Sequence, residues 1–250
     1  ASCHEGVERR TPVGCGLYFP RCTCCPAGVC RAYGRICRLH NRRSVAPCAC
    51  RTFGNLLRCL LRTRRFLGRT KRTFVESSQR FKLKLHADEI VSFGGAELAA
   101  RLKAVSADHL LHISDTGIKR LARSGTIATL LPLTAFSLNE PYAPGRRMID
   151  AGCAVALASD LNPGSCFSSS IPLLFALACI QMKLTPEEAL TALTINGAAA
   201  LGREKKVGSI DVGKKADLVL LKFPSYKFLP YHIGMNIVDT VIKDGVLYIV

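Results

Sequence analysis

The chain has 250 residues, 35 Lys+Arg against 18 Asp+Glu, a formal charge of +17 and 48% hydrophobic residues. That is enough apolar chain for one large core or two small ones, and too much for a wholly disordered polypeptide. The charge sits at one end: residues 1–80 hold 17 Lys+Arg, 16 of them Arg, against three acids, whereas residues 81–250 hold 18 basic against 15 acidic residues. The basic character therefore excludes nothing and implies nothing for residues 81–250, which read as an ordinary near-neutral globular sequence.

The longest apolar run, Ile171–Ile180, falls far short of the roughly 20 residues a bilayer span needs, so no membrane partner is expected. The first twenty residues lack the apolar run of a secretory signal. Ten of the 13 Cys lie within residues 1–80, and only Cys153, Cys166 and Cys179 follow. Three scattered Cys suit a reducing, cytoplasmic setting.

Residues 1–80 show neither a period of 2 nor one of 3.6, and Leu56–Leu67 is their one helix-like piece. Cys22, Cys24, Cys25, Cys30, Cys37 and His40 suggest zinc ligands, but no two C-x-x-C units stand at finger spacing. A disulfide framework calls for an oxidising compartment. A basic nucleic-acid arm fits the charge alone, without a recognition motif, so nucleic acid is not the expected partner. Arg- and Cys-rich, acid-poor, aperiodic sequence is also what out-of-frame translation yields, and that reading is preferred. Reading the coding DNA in its other two frames tests it, and it fails if neither frame continues the downstream pattern.

From residue 81 strands and helices alternate. Lys82–His86 reads as a strand, followed by a Gly94-Gly95 turn and a helix over about Ala96–Ala104. Asp108–His112 reads as the next strand, with a helix over about Thr116–Arg123 stopped by Gly125. Thr126–Leu131 is a third strand, ending at Pro132. A long loop, Leu133–Pro144, then leads to a helix near Gly145–Ala151. Ala154–Ser159 is a strand apolar enough to be buried on both faces. Apolar Ile171–Met182 is helical, and Thr185-Pro186-Glu187-Glu188 opens a further helix with a capping box. After Gly202 the pattern turns to short strands: Gly208–Ile210, Asp217–Leu221 and a hairpin Val241–Ile249 around Asp244-Gly245. Three segments are expected: irregular 1–80, a barrel portion 81–202 and a β portion 203–250.

Repeated strand–helix units predict an α/β fold with a parallel sheet, whose strands deliver chemistry from their C-terminal ends. His86 with Glu89, His109 or His112, and Asp160 all fall there. Histidine and aspartate suit zinc or iron, and an unpaired Asp160 after an apolar run is costly unless a cation offsets it. Asn162-Pro163-Gly164-Ser165 forms a turn whose backbone N–H groups suit an anionic or amide substrate.

The stretches LHADE (85–89), GGAELAA (94–100), SADHLLHISD (106–115), TAFSLNEPYAP (134–144), MIDAG (148–152) and ASDLNPGS (158–165) resemble the imidazolonepropionase family of metal-dependent amidohydrolases. VGSIDVGKKADLVLL (207–221) is similar to many amidohydrolases. The resemblance covers residues 81–250. It implies the C-terminal half of a (β/α)8 barrel plus part of a small β-sandwich, and hydrolysis of 4-imidazolone-5-propanoate to N-formimino-L-glutamate in histidine degradation. It implies His86 and Asp160 as ligands of one zinc or ferric ion, and Glu89 as the acid/base at the ring nitrogen. His109 would orient water and stabilise the oxyanion; Asn162, Gly164 and Ser165, with Glu89, would bind substrate. A homodimer is implied for the parent family. Within the superfamily, a cyclic-amidine or aminopurine deaminase is the alternative; outside it, a Cys/Arg-rich zinc or nucleic-acid module fused to a barrel fragment.

The sequence departs from the family in containing no His-x-His, the pair that the family's first barrel strand contributes to the metal. Loss of two ligands should collapse metal affinity. The chain as written is therefore expected to be inactive, with an open apolar sheet edge on each side of four strand–helix units.

Overall fold

A computed structural model describes the strands Cys50–Phe53 and Leu56–Leu60 and residues 82–249, all within the second of two units, Ala46–Val250. The candidate zinc ligands Cys22, Cys24, Cys25, Cys30, Cys37 and His40 lie outside the described residues. Two strands do fall in the segment expected to be irregular: β1 (Cys50–Phe53) pairs antiparallel with β2 (Leu56–Leu60). Leu56–Leu60 is thus a strand where a helix was expected. A short apolar run fits either state, and here its parallel ladder to the next strand decides.

That next strand is β3 (Lys82–Ala87), followed in the sheet by β4 (Ser106–His109), β5 (Ile127–Leu130) and β6 (Val155–Leu157), all parallel. The six strands lie in sequence order, so β2 covers the side of β3 that was expected to be open. Each step from β3 to β6 carries a helix: α1 (Gly95–Arg101), α2 (Asp115–Ser124), and the pair α3 (Pro132–Leu138) and α4 (Gly145–Asp150). α5 (Ile171–Ile180), α6 (Pro186–Leu193) and α7 (Ile195–Ala200) follow β6. From β2 to β6 this is a parallel α/β sheet with the order of a partial barrel, and β1 is an antiparallel strand at its edge.

The expected boundaries shift where the backbone does something the residue types conceal. β4 ends at His109, three residues earlier than His112, because His109 and Leu110 take φ of 78° and 62° and break the strand. The expected loop Leu133–Pro144 contains α3 instead. Pro132 starts it at a position where its missing N–H costs nothing, and Asn139 closes it in the left-handed conformation. Gly208–Ile210 forms no strand: Gly208, at φ 98°, lies where a Cβ would meet Ala198 Cβ at 2.8 Å and Thr194 O at 3.0 Å.

The two faces of the sheet divide by parity. Leu83, Leu85 and Ala87 face the helices, where Ala96, Leu98, Ala99 and Leu121 are buried. On the other face lie buried polar groups, Lys84, Ser106, Asp108 and Thr129. Lys84 Nζ donates to Ala200 O at 3.1 Å, a carbonyl at the end of α7 that the helix leaves unpaired. Ala200 packs with Ile127 and Ala156, so α7 covers this face below the strand ends. α5 is apolar on all sides and largely buried, as such a helix must be.

A separate three-stranded antiparallel sheet, β7 (Leu218–Leu221), β8 (Val238–Lys243) and β9 (Val246–Ile249), closes the chain. The β8–β9 hairpin turns on Asp244 and Gly245, with φ of 51° and 82°, the conformation Asp-Gly favours. Among the described residues no helix is long and apolar enough to cross a membrane.

Candidate active site

The site begins with the register of β3 and β4. His86 pairs with Asp108 and Ala87 with His109. Alternation would aim His109 with Ala107 toward the helices, on the opposite face from His86. The positive φ at His109 and Leu110 turns it back, and His86 Nδ1 meets His109 Nε2 at 2.8 Å. His109 is 2% exposed, and its other nitrogen, Nδ1, has no hydrogen-bond partner.

Between the strand end and α1 the chain turns through Asp88, at φ 47°. The Asp88 carboxylate accepts from the backbone N–H of Phe93 at 2.8 Å, Gly95 at 3.1 Å and Ala96 at 3.0 Å. It fastens the first turn of α1 to the end of β3, at a contact so close that a Cβ on Gly95 would meet Ala87 Cβ at 2.9 Å. With Asp88 turned into the helix, Glu89 faces the histidines: its Oε1 stands 3.8 Å from His109 Nδ1. His86, Glu89 and His109 then offer three ligand atoms all within 4.8 Å of one another, a group able to hold a metal ion. The donor set fits: two imidazoles and a carboxylate form a borderline set suited to zinc or iron, and the orphaned Nδ1 lacks a partner that an ion or its water would supply.

Asp160 does not belong to that group. At φ 52° just past β6, it accepts from the Thr134 hydroxyl at 3.0 Å through Oδ2. Thr134 is a partner the sequence reading missed, since it lay in the expected loop; Pro132 two residues before it was the available helix signal. The turn after Asp160 also differs from expectation. Asn162 Oδ1 accepts the N–H groups of Gly164 and Ser165, each at 2.9 Å, so these donors are already engaged within the turn. Asn162 Nδ2 donates to Asp160 O at 2.7 Å and to Ser165 Oγ at 2.9 Å. His112 lies beyond β4, its N–H bonded to Asp88 O at 2.9 Å, and stands outside the cluster.

A parallel sheet that gathers histidines and a carboxylate at its C-terminal edge has the form of a metal-dependent hydrolase half-barrel. The amidohydrolase family model matches residues 71–248, and the chain belongs to that family. It is 83% identical over 169 residues to an imidazolonepropionase of Parabacteroides distasonis, covering 68% of this chain and 41% of that protein. It is 72% identical over 165 residues to one of Bacteroides fragilis, covering 66% and 40%. The chain thus spans about two fifths of the length of the curated relatives it matches. Among solved structures, an adenosine deaminase from Xanthomonas campestris with bound zinc superimposes with a TM-score of 0.62 at 23% identity, over 72% of this chain and 49% of that one. An atrazine chlorohydrolase variant from Arthrobacter aurescens with zinc and atraton gives 0.60 at 16%, over 72% and 47%.

Proposed function

We propose that residues 82–250 carry the second half of an imidazolonepropionase active site, which opens the ring of 4-imidazolone-5-propanoate to N-formimino-L-glutamate. The observation that carries this reading is the convergence of His86, His109 and Glu89 at one strand edge, in a segment 83% identical to a protein of that name. In a complete site His86 and Asp160 would hold zinc or iron, which when bound supplies Lewis-acid activation of water at neutral pH. Glu89, one quarter exposed in its side chain, can exchange protons with solvent and deliver one to the departing ring nitrogen. The unpartnered Nδ1 of His109 serves to hold the attacking water or the developing oxyanion. Asn162, Gly164 and Ser165 would contact substrate by exchanging their mutual hydrogen bonds for it. A cytoplasmic setting and a homodimeric parent accompany this reading.

Because these 250 residues contain no His-x-His, the chain as written should show no measurable turnover of the imidazolone. The assignment is tested in a chimera where residues 82–250 replace the matching stretch of the P. distasonis protein. The chimera should hydrolyse 4-imidazolone-5-propanoate, and Glu89→Gln in it should lower kcat by about 10²–10⁴-fold. A chimera that ignores the imidazolone but deaminates an aminopurine or cyclic amidine would overturn it.

A further inference from the structure

We infer that Thr134 is a positioning residue for the proposed hydrolysis: its hydroxyl fixes the plane of the Asp160 carboxylate, holding Oδ2 so that Oδ1 serves the reacting centre. This role rests on Asp160 taking part in that reaction. It adds to the site a side chain from the helix that follows the neighbouring strand.

The first ground is that the Thr134 hydroxyl does nothing for its own helix. Elsewhere in the chain, Thr191 Oγ1 donates to Glu187 O at 2.9 Å and Thr194 Oγ1 to Leu190 O at 2.7 Å. That bond to the carbonyl four residues back is the usual one for a helical threonine. Four residues before Thr134 lies Leu130, which belongs to β5 and not to α3. Its carbonyl accepts the Ala158 N–H at 3.2 Å. Leu131 O, three residues back, already accepts the N–H groups of Thr134 at 3.2 Å and Ala135 at 3.3 Å. A buried hydroxyl has one proton to donate and is seldom left without an acceptor. Thr134, buried at the start of α3, donates to Asp160 Oδ2 at 3.0 Å, 26 residues away.

The second ground is what remains to be fixed at Asp160. Its backbone is set without Thr134: φ is 52°, and Asn162 Nδ2 donates to its carbonyl at 2.7 Å. The backbone does not set the carboxylate plane, because rotation about the last aspartate bond is broad and roughly two-fold. Among the described residues Thr134 is the sole hydrogen-bond donor to that carboxylate. One bond to Oδ2 fixes the plane and leaves Oδ1 open. A reacting group needs such a fixed direction, since a misplacement of about 1 Å costs about 10²-fold in rate.

Without the hydroxyl, Asp160 Oδ2 is solvated, since this residue is only partly buried. Water keeps the fold intact but fixes no direction. The loss therefore falls on turnover and not on substrate binding, for which Asn162, Gly164 and Ser165 are the proposed contacts.

The test uses the chimera that carries residues 82–250 in the P. distasonis protein, with Thr134→Val keeping the shape and Thr134→Ser keeping the hydroxyl. Thr134→Val should lower kcat by about 10–100-fold, with KM within about twofold of the parent chimera. Thr134→Ser should restore kcat to within about threefold, the hydroxyl being what matters. The visible spectrum of the Co²⁺-substituted chimera gives a readout apart from turnover: it should change in Thr134→Val and match the parent in Thr134→Ser. Far-UV circular dichroism confirms that both variants are folded. The inference is overturned if Thr134→Val keeps the parent kcat and spectrum, if Thr134→Ser is no better than Thr134→Val, or if KM alone changes. A parent chimera that ignores the imidazolone sinks the proposed substrate, while the Co²⁺ spectra still decide the role of Thr134.

Discussion

Asp88 and Glu89 are adjacent acids with opposite tasks, and backbone geometry separates them. Asp88, 3% exposed, spends its carboxylate on the N–H of Phe93, just before α1, and on those of Gly95 and Ala96 in its first turn. Those donors have no partner within the helix, and an acidic group at a helix N-terminus also meets the favourable end of its dipole. Asp88→Ala would leave three donors unmet at a buried junction, and should destabilise the fold by about 2–3 kcal/mol. The urea midpoint measures this. Asp88→Asn, which keeps one acceptor oxygen, should recover part of the loss. An Asp88→Ala variant as stable as the parent would mean that the contact with α1 is held by packing alone. Glu89, by contrast, contributes little to the fold and should tolerate Gln without loss of stability.

At the scale of elements, Glu188 joins two helices. Its Oε2 accepts the Thr185 N–H at 2.8 Å while Thr185 Oγ1 accepts the Glu188 N–H at 3.2 Å, completing the capping box of α6. The same carboxylate accepts Arg146 Nη1 at 3.0 and 2.8 Å, tying α6 to α4. The hydrogen bond from Arg146 is the main reason the Glu188 carboxyl is held below its ordinary range. A depressed carboxylate stabilises the fold above its unfolded pKa of about 4, and that contribution is lost as pH falls through the lower folded value. Glu188→Ala should therefore cost about 1–2 kcal/mol at pH 7, mostly through the cap, since the ion pair is partly solvated. The gap between variant and parent should narrow below about pH 4. Denaturant titrations at pH 7 and pH 3 check both statements. This capping box was readable in Thr185-Pro186-Glu187-Glu188, as was the hairpin in Asp244-Gly245, because both rest on local chemistry. The convergence of His86 and Glu89 was readable too, from a strand that ends in His-x-x-Glu. The path of β4 was not. Nothing in Asp-His-Leu-Leu announces two left-handed residues, which are uncommon outside Gly and Asn and exist here because the tertiary site holds them. The pairing of Thr134 with Asp160 was missed as well: it depends on a helix where turn-forming residues suggested a loop, although Pro132 marks that helix's start.

At the scale of the molecule, the small sheet leaves apolar surface in water. Val219, Val241 and Tyr248 share one register row, and Val219 and Tyr248 are 57% and 55% exposed. On the adjacent row Leu247 is 59% exposed, so both faces of β7–β8–β9 carry exposed apolar side chains. A three-stranded sheet ordinarily buries one face, and an uncovered one favours contact with another copy. The large sheet manages its β6 edge better: Asn196 Nδ2 donates to Val155 O at 2.8 Å, occupying an acceptor on that short strand. Self-association of this chain should therefore arise from the small sheet and not from β6. Val219→Lys with Tyr248→Lys places two charges on one face, within a register row and away from the histidine cluster. Sedimentation velocity should show a shift of the double variant toward monomer, and binding of a hydrophobic dye should fall. Asn196→Ala, which frees Val155 O, should instead increase association if β6 becomes the available edge. If the lysine pair leaves association unchanged and Asn196→Ala raises it, the barrel edge and not the small sheet is where copies meet.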